Sequence, residues 1–294
     1  MSMKPNQQVD TGWDYTVSQV AVPHPVNGSK TGYFMNVRDD DQSVLGITSS
    51  RYGLAQNQDV FGKSDEALQD RGISFKRKVY VTEGGAKVRA IYDLEGSQFT
   101  AEVPEVGDIM GFRLIAQNSF DRSLRVSYAL GLLRLVCLNG MQTMEREVDM
   151  VKKHSQKINV GDLLSSDAID KALAKLQNSV DVYGSLAQVA ITQEQGLNIL
   201  QNLVKGNILS EKTREPIACI WNAPTHQEDK SRNLYNLNNA ITQHMTHDVA
   251  DQRFEYANRT TTNVLKRFKL AADNPARLKK LVLAPKTEVV IASN

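Results

Sequence analysis

GDIMGFRLIAQNSFDRSLRVSYALGLLRLVCLNG, residues 107–140, carries two apolar runs, Ile109–Ala116 and Leu124–Leu138, around the polar segment 117–123. Two such runs flanking a segment rich in Asn, Ser and Asp predict a β-hairpin with a long loop. Between residues 109 and 138 four arginines recur, Arg113, Arg122, Arg125 and Arg134, against the single acid Asp121. Guanidinium groups on one face of a sheet suit a polyanion better than a small neutral substrate. Arg134 and Cys137 stand three residues apart, on opposite faces of a strand. Cys137 is expected to be buried, and Arg134 to meet a polar partner, either a core acid or a phosphate.

Further hairpins precede this one. Tyr33–Arg38 and Ser43–Thr48 flank the acidic turn 39–42, and Ile73–Val81 and Lys87–Leu94 flank Glu83-Gly84-Gly85-Ala86. In the first strand of that second hairpin, Ser74, Lys76, Lys78 and Tyr80 share one face, a basic-aromatic surface that a nucleic acid could use. Gln58–Gln69 reads as a helix between the hairpins. Residues 1–30 are polar and aperiodic and read as an irregular arm anchored by Trp13 and Tyr15.

From about residue 160 the apolar period changes from two to that of a helix. Ile169, Leu173, Leu176, Val180, Tyr183, Ala187 and Ala190 step by four and three, a heptad-like seam. Thr192-Gln193-Glu194-Gln195 fits a capping box for a helix ending near Gly206. Leu234, Leu237, Ile241 and Met245 mark a third helix, and Phe254–Leu270 contains a fourth. Asn274-Pro275 supplies a cap and first residue for a short last helix over 276–283. Strands first and helices after make the fold α+β, an antiparallel sheet of hairpins packed with a helical C-terminal half. The divisions expected are an arm over 1–30, a hairpin-rich core over 31–160, and a helical region with a basic tail over 161–294.

With 294 residues, 41% hydrophobic and 23% charged, the composition is that of a soluble globular protein. No apolar run reaches a membrane span, and the N-terminus lacks a secretory signal, so a cytoplasmic location and no membrane partner are expected. Net charge is only +2, but its distribution is uneven. Segment 71–89 holds six bases against Glu83, segment 93–108 holds five acids and no base, and tail 261–294 holds seven bases against Asp273 and Glu288. The two cysteines, Cys137 and Cys219, read as free thiols.

Catalytic signatures are missing. Asn27-Gly28-Ser29-Lys30-Thr31 lacks the glycines of a phosphate-binding loop, and no nucleophile elbow is present. His244 and His247 lie at i, i+3, a spacing that would suit a metal, but no third ligand is near them in sequence. No cofactor, no metal and no enzymatic activity are therefore expected.

Three stretches carry a likeness. The first is Leu45-Gly46-Ile47 with Tyr52, Gln56-Asn57 and Phe61. The second is the hairpin ending in Arg134-Leu135-Val136-Cys137-Leu138-Asn139. The third is Leu234-Tyr235-Asn236-Leu237-Asn238-Asn239-Ala240-Ile241-Thr242 with His247. In this order they resemble the phage- and plasmid-encoded family catalogued as domain of unknown function 932. In outline that family is similar to annealing proteins of the Rad52 type. The resemblance implies a non-catalytic protein that handles single-stranded DNA in recombination or replication, as a homo-oligomeric ring or filament. Lys76, Lys78, Arg113, Arg122, Arg125 and Arg134 would then hold phosphates, with aromatic groups for base stacking. The competing expectation is a structural or protein-interaction protein of a phage or plasmid. A nucleic-acid enzyme with a metal site hidden from sequence is a third.

Overall fold

The computed structural model describes residues 7–9, 12–135, 139–141, 151–152, 154 and 166–284. The N-terminal half supplies strands β1 (Gln7–Val9), β2 (Val17–Pro23), β3 (Lys30–Arg38), β4 (Val44–Ser49), β5 (Phe75–Thr82), β6 (Lys87–Leu94), β7 (Thr100–Glu102), β8 (Ile109–Ser119) and β9 (Val126–Arg134). Two short strands follow, β10 (Asn139–Met141) and β11 (Val151–Lys152). One helix, α1 (Lys63–Gln69), interrupts them. Among the described residues six come after: α2 (Ser166–Ala187), α3 (Gln193–Lys205), α4 (Glu211–Asn222), α5 (Leu234–His244), α6 (Ala250–Ala272) and α7 (Pro275–Val282). The protein is α+β, as the change of apolar period predicts.

The larger sheet runs β1-β5-β6-β8-β9-β10, with β7 added on β8 and β11 on β9; β2-β3-β4 form a separate three-stranded sheet. β5 and β6 pair antiparallel from Phe75 opposite Leu94 to Thr82 opposite Lys87, around the expected glycine turn. There Gly84 and Gly85 take φ of 65° and 104°, which a Cβ would disfavour. The arm differs from expectation. Trp13 and Tyr15 are buried as foreseen, but Val17–Pro23 is β2 and pairs along β3. Only Val17 of that strand is buried, so its exposed polar and small residues conceal the strand in sequence.

The chain divides into two compact units. One comprises Met1–Ala101, Gly111–Leu132 and Thr143–Gln177; the other comprises Glu102–Met110, Leu133–Gln142 and Asn178–Asn294. In the first, β6 and β8 are buried on both faces nearly throughout. Tyr92 and Tyr128 reach from this sheet to the wide helical turn Gln58–Gly62 that leads into α1. Their hydroxyls donate to the carbonyls of Phe61 (3.1 Å) and Val60 (3.0 Å), partly replacing the regular ladder bonds that the wide turn forgoes.

The second unit is helical. The capping box at Thr192 forms, Gln195 donating its backbone N–H to the threonine hydroxyl at 3.1 Å, and α3 stops before Gly206. α4 has no counterpart in the sequence reading. A Ser210–Thr213 capping box opens it, and Pro216 sits inside, a residue that ordinarily argues against a helix. Packing holds it in place: Trp221 lies against Gly196 of α3, where a Cβ would come within 2.4 Å of the indole nitrogen. In α2, Val180, Tyr183 and Leu186 are buried, while the side chains of Ile169 and Leu176 lie outside the described residues. No helix among the described residues is long and apolar enough to cross a membrane.

Candidate nucleic-acid interface

The six basic residues expected to hold phosphates separate into two groups. Arg113 is buried and faces Asp93 across β8 and β6. Its Nε and Nη2 donate to one carboxylate oxygen at 2.9 and 2.6 Å. Arg134 is fully buried. Nε and Nη2 lie 2.8 and 2.7 Å from Asp108 Oδ2, and Nη1 lies 2.9 Å from both oxygens of Asp229. Neither guanidinium can serve as a phosphate ligand, which corrects that expectation for Arg113 and Arg134. The physical reason is shared: a desolvated guanidinium needs a carboxylate beside it, and both have one. Of the two partners foreseen for Arg134, the core acid is the one found. Cys137 lies outside the described residues.

The Arg134 cluster belongs wholly to the second unit. Tyr235 donates its hydroxyl to Asp108 Oδ2 at 2.7 Å, and Asn239 Nδ2 donates to Asp229 Oδ1 at 2.9 Å. Burial opposes the charge on Arg134, but Tyr235, Asp229 and Asp108 outweigh it and hold the guanidinium above the ordinary arginine range. Burial also drives the Tyr235 hydroxyl far above the usual phenol range. Arg134 therefore stays charged and Tyr235 neutral near neutral pH. Thr242, also on α5, donates its hydroxyl to the Asn239 carbonyl at 3.1 Å. Asp229, the second acid, was missed because a Gln-Glu-Asp-Lys turn carries no signal that one of its acids is buried.

The remaining four residues belong to the first unit and are exposed. Lys76 lies 2.9 Å from Glu95, both on the surface, an ion pair of small net worth that a phosphate could replace. Lys78, Arg122 and Arg125 are exposed and make no ion pair or side-chain hydrogen bond among the described residues. Tyr80, on the same face of β5, is half-buried under the guanidinium of Arg89, which is itself buried. The basic-aromatic face is thus reduced to the rim at Lys76 and Lys78.

The turn that presents Arg122 and Arg125 is held from beneath. Phe120 is fully buried, its backbone N–H donates to Ala86 at 2.7 Å, and its carbonyl accepts from Asn36 Nδ2. Tyr52 donates to the Ser119 carbonyl at 2.7 Å, and Asn118 bridges the Ala55 carbonyl and Asn57. Gly46 approaches so closely that a Cβ there would lie 2.7 Å from the Asp121 Cα. Asp121 caps the bend through the Ser123 N–H at 2.9 Å. On this platform Arg122 adopts a φ of 70°, a left-handed conformation that costs a side-chain-bearing residue energy. Asn36 and Gly46 were not read from sequence as supports of the turn, since nothing local marks a partner some eighty residues away.

His244 is buried with Nδ1 2.8 Å from Asp248, and no group of three His, Cys, Asp or Glu that could hold a metal occurs among the described residues. Cys219 is an exposed free thiol.

The chain belongs to the family described as Domain of unknown function (DUF932), whose family model matches residues 44–284. The match begins at β4 and continues past α7. Comparison with curated proteins and with solved structures gives no match. The three stretches that carry the resemblance meet in two places. Gly46, Tyr52 and Asn57 support the turn of the β8–β9 hairpin, while Tyr235 and Asn239 close around Arg134.

Proposed function

We propose that this protein binds single-stranded nucleic acid without catalysis, in the manner of an annealing protein, and works as a homo-oligomer in phage-type recombination or replication. The observation that carries the reading is Arg122. A strained, exposed arginine with no ion pair among the described residues stands at the apex of a turn that buried hydrogen bonds hold from beneath. Such a residue adds nothing evident to stability, and strain of this kind tends to persist where a side chain must be presented to a ligand. Arg125 and Lys78 add charge on the same unit, and Lys76 can exchange Glu95 for phosphate. Annealing needs no cofactor: backbone repulsion is neutralised while base edges remain free to pair.

The competing reading, a protein-interaction module, also has an observation in its favour. Val20, Met35 and Ile47 align across β2, β3 and β4, and Val20 and Ile47 are exposed together with Tyr33. An exposed apolar row of this kind suits a protein partner.

The test is a titration of labelled single strands at two salt concentrations, with wild-type protein and Arg122→Ala/Arg125→Ala. Each phosphate contact removed should flatten the log–log salt dependence by about 0.7. Wild-type affinity and slope in the double variant would remove the hairpin from the interface. Absence of binding by the wild type would favour the interaction module.

A further inference from the structure

We infer that the α6–α7 corner of the second unit is a preformed face for the phosphodiester backbone of a nucleic acid, an inference that rests on the function proposed above. Lys266, Arg267 and Lys269 on α6 and Arg277, Lys279 and Lys280 on α7 are all exposed. None makes an ion pair or side-chain hydrogen bond among the described residues. Between residues 259 and 284 the sole acid is Asp273. Exposed Lys76 finds a carboxylate in Glu95 and half-buried Arg214 one in Glu211, whereas these six, like Lys78, Arg122 and Arg125, find none among the described residues. The helix C-termini favour a cation in their last turn, which accounts for Lys269, Lys279 and Lys280. Arg267 sets its guanidinium at the C-terminal end of α3, 3.3 and 3.4 Å from where a Cβ on Gly206 would stand, so the residues left without such a reason are Lys266 and Arg277. Lys266–Lys269 and Arg277–Lys280 are moreover like-charged pairs at i, i+3, which repel on an isolated helix. A polyanion would relieve that repulsion.

Nucleic acid fits this face better than an anionic membrane. A helix that lies in a bilayer surface needs a free apolar side. Here that side is already used: Val264, Phe268 and Ala271 of α6 and Leu281 of α7 are buried. The end of α7 is clamped by α3, where Asn202 Nδ2 donates to the carbonyls of Leu281 (2.8 Å) and Leu283 (2.9 Å). The Asn274 side chain caps α7 immediately after α6 and fixes the corner between them. The exposed apolar residues left there are chiefly Leu270 and Leu283. No exposed aromatic residue occurs between 259 and 284, so the face offers phosphate contacts without base stacking. Its binding should be indifferent to sequence and strongly salt-dependent.

The experiment uses the full chain as wild type, as Lys266→Gln/Arg267→Gln/Arg277→Gln/Lys280→Gln, and as Arg122→Ala/Arg125→Ala. Each is titrated with labelled oligothymidylate, with a labelled duplex, and with phosphatidylserine vesicles, between about 50 and 200 mM salt. The helix variant should lose at least about tenfold in affinity for oligothymidylate and flatten the slope by up to about 2.8, four contacts at about 0.7 each. Its free-protein Tm should be equal to or above that of the wild type, and oligothymidylate should raise that Tm less than it raises the wild type's. A larger loss on duplex than on oligothymidylate would still support the face and identify duplex backbone as its ligand. Binding by wild type with an unchanged helix variant overturns this inference and leaves the proposed function standing on the hairpin. No binding of either nucleic acid by wild type overturns both. Vesicle binding lost in the helix variant, with oligothymidylate binding kept, overturns the face as a nucleic-acid site.

Discussion

The stem and the turn of the β8–β9 hairpin use arginine to opposite ends. In the stem Arg113 and Arg134 are buried against carboxylates. At the turn Arg122 and Arg125 stand exposed without partners among the described residues. All four lie within 22 positions of one another in a segment that reads as uniformly basic. The difference teaches that the role of an arginine is set by which acid the fold places beside it. Asp93 is opposite Arg113 on the neighbouring strand, and Asp229 reaches Arg134 from 95 residues away.

The largest effect is expected at Arg134. Arg134→Met leaves Asp108 and Asp229 buried without their counter-ion, and should cost about 3–5 kcal/mol of unfolding free energy. Urea denaturation would measure it, and Asp108→Asn with Asp229→Asn in the same chain should recover part of the loss. A single variant within about 1 kcal/mol of wild type would mean that the cluster is not a structural ion pair.

Asn239→Ala comes next. It removes the donor to Asp229 and should lower stability by about 1–3 kcal/mol. Affinity for single strands should stay at the wild-type value under conditions where the variant is folded. Unchanged stability with lost binding would move α5 into the interface.

At the turn, Arg122→Gly should act in the opposite direction. Glycine accepts the φ of 70° without a Cβ penalty, so the free protein should become more stable by up to about 1 kcal/mol. Binding should weaken as it does in Arg122→Ala. A glycine variant that is less stable than wild type would show that the Arg122 side chain supports the turn.

The smallest effect concerns pH. His154 stacks on Tyr52 with ring centroids 4.7 Å apart, and its Nδ1 lies 3.1 Å from the Gly53 carbonyl. Burial holds its pKa below the ordinary histidine value despite that bond. The unfolded chain therefore takes up the proton first as pH falls. The associated stability is complete above about 6.5 and is lost progressively as pH drops towards the lowered folded value. Urea midpoints measured from about pH 7.5 to 5.5 should show this decline in wild type, and a shallower one in His154→Gln. Equal slopes would assign the decline to other groups.

Much of the architecture is legible in the residues. Alternating strands around Gly84-Gly85, the capping box at Thr192 and the Asn274-Pro275 start of α7 are local signals, and each forms where its chemistry places it. β2 and α4 were not legible. β2 is exposed along most of its length and so lacks an apolar alternation, and α4 tolerates Pro216 because Trp221 packs on Gly196.

By itself, then, the sequence determined the α+β class, the hairpin and helix order and the presence of several basic clusters. These follow from periodicity, turn chemistry and composition, which act over a few residues. Tertiary structure alone decided which cations are used up inside the protein. Long-range pairing brought Asp229 to Arg134 and withdrew that arginine from solvent. Close packing of Gly46, Asn36 and Tyr52 beneath residues 119–121 left Arg122 facing outward. An ion pair depends on distance in space, and distance in space is fixed only when the chain is folded.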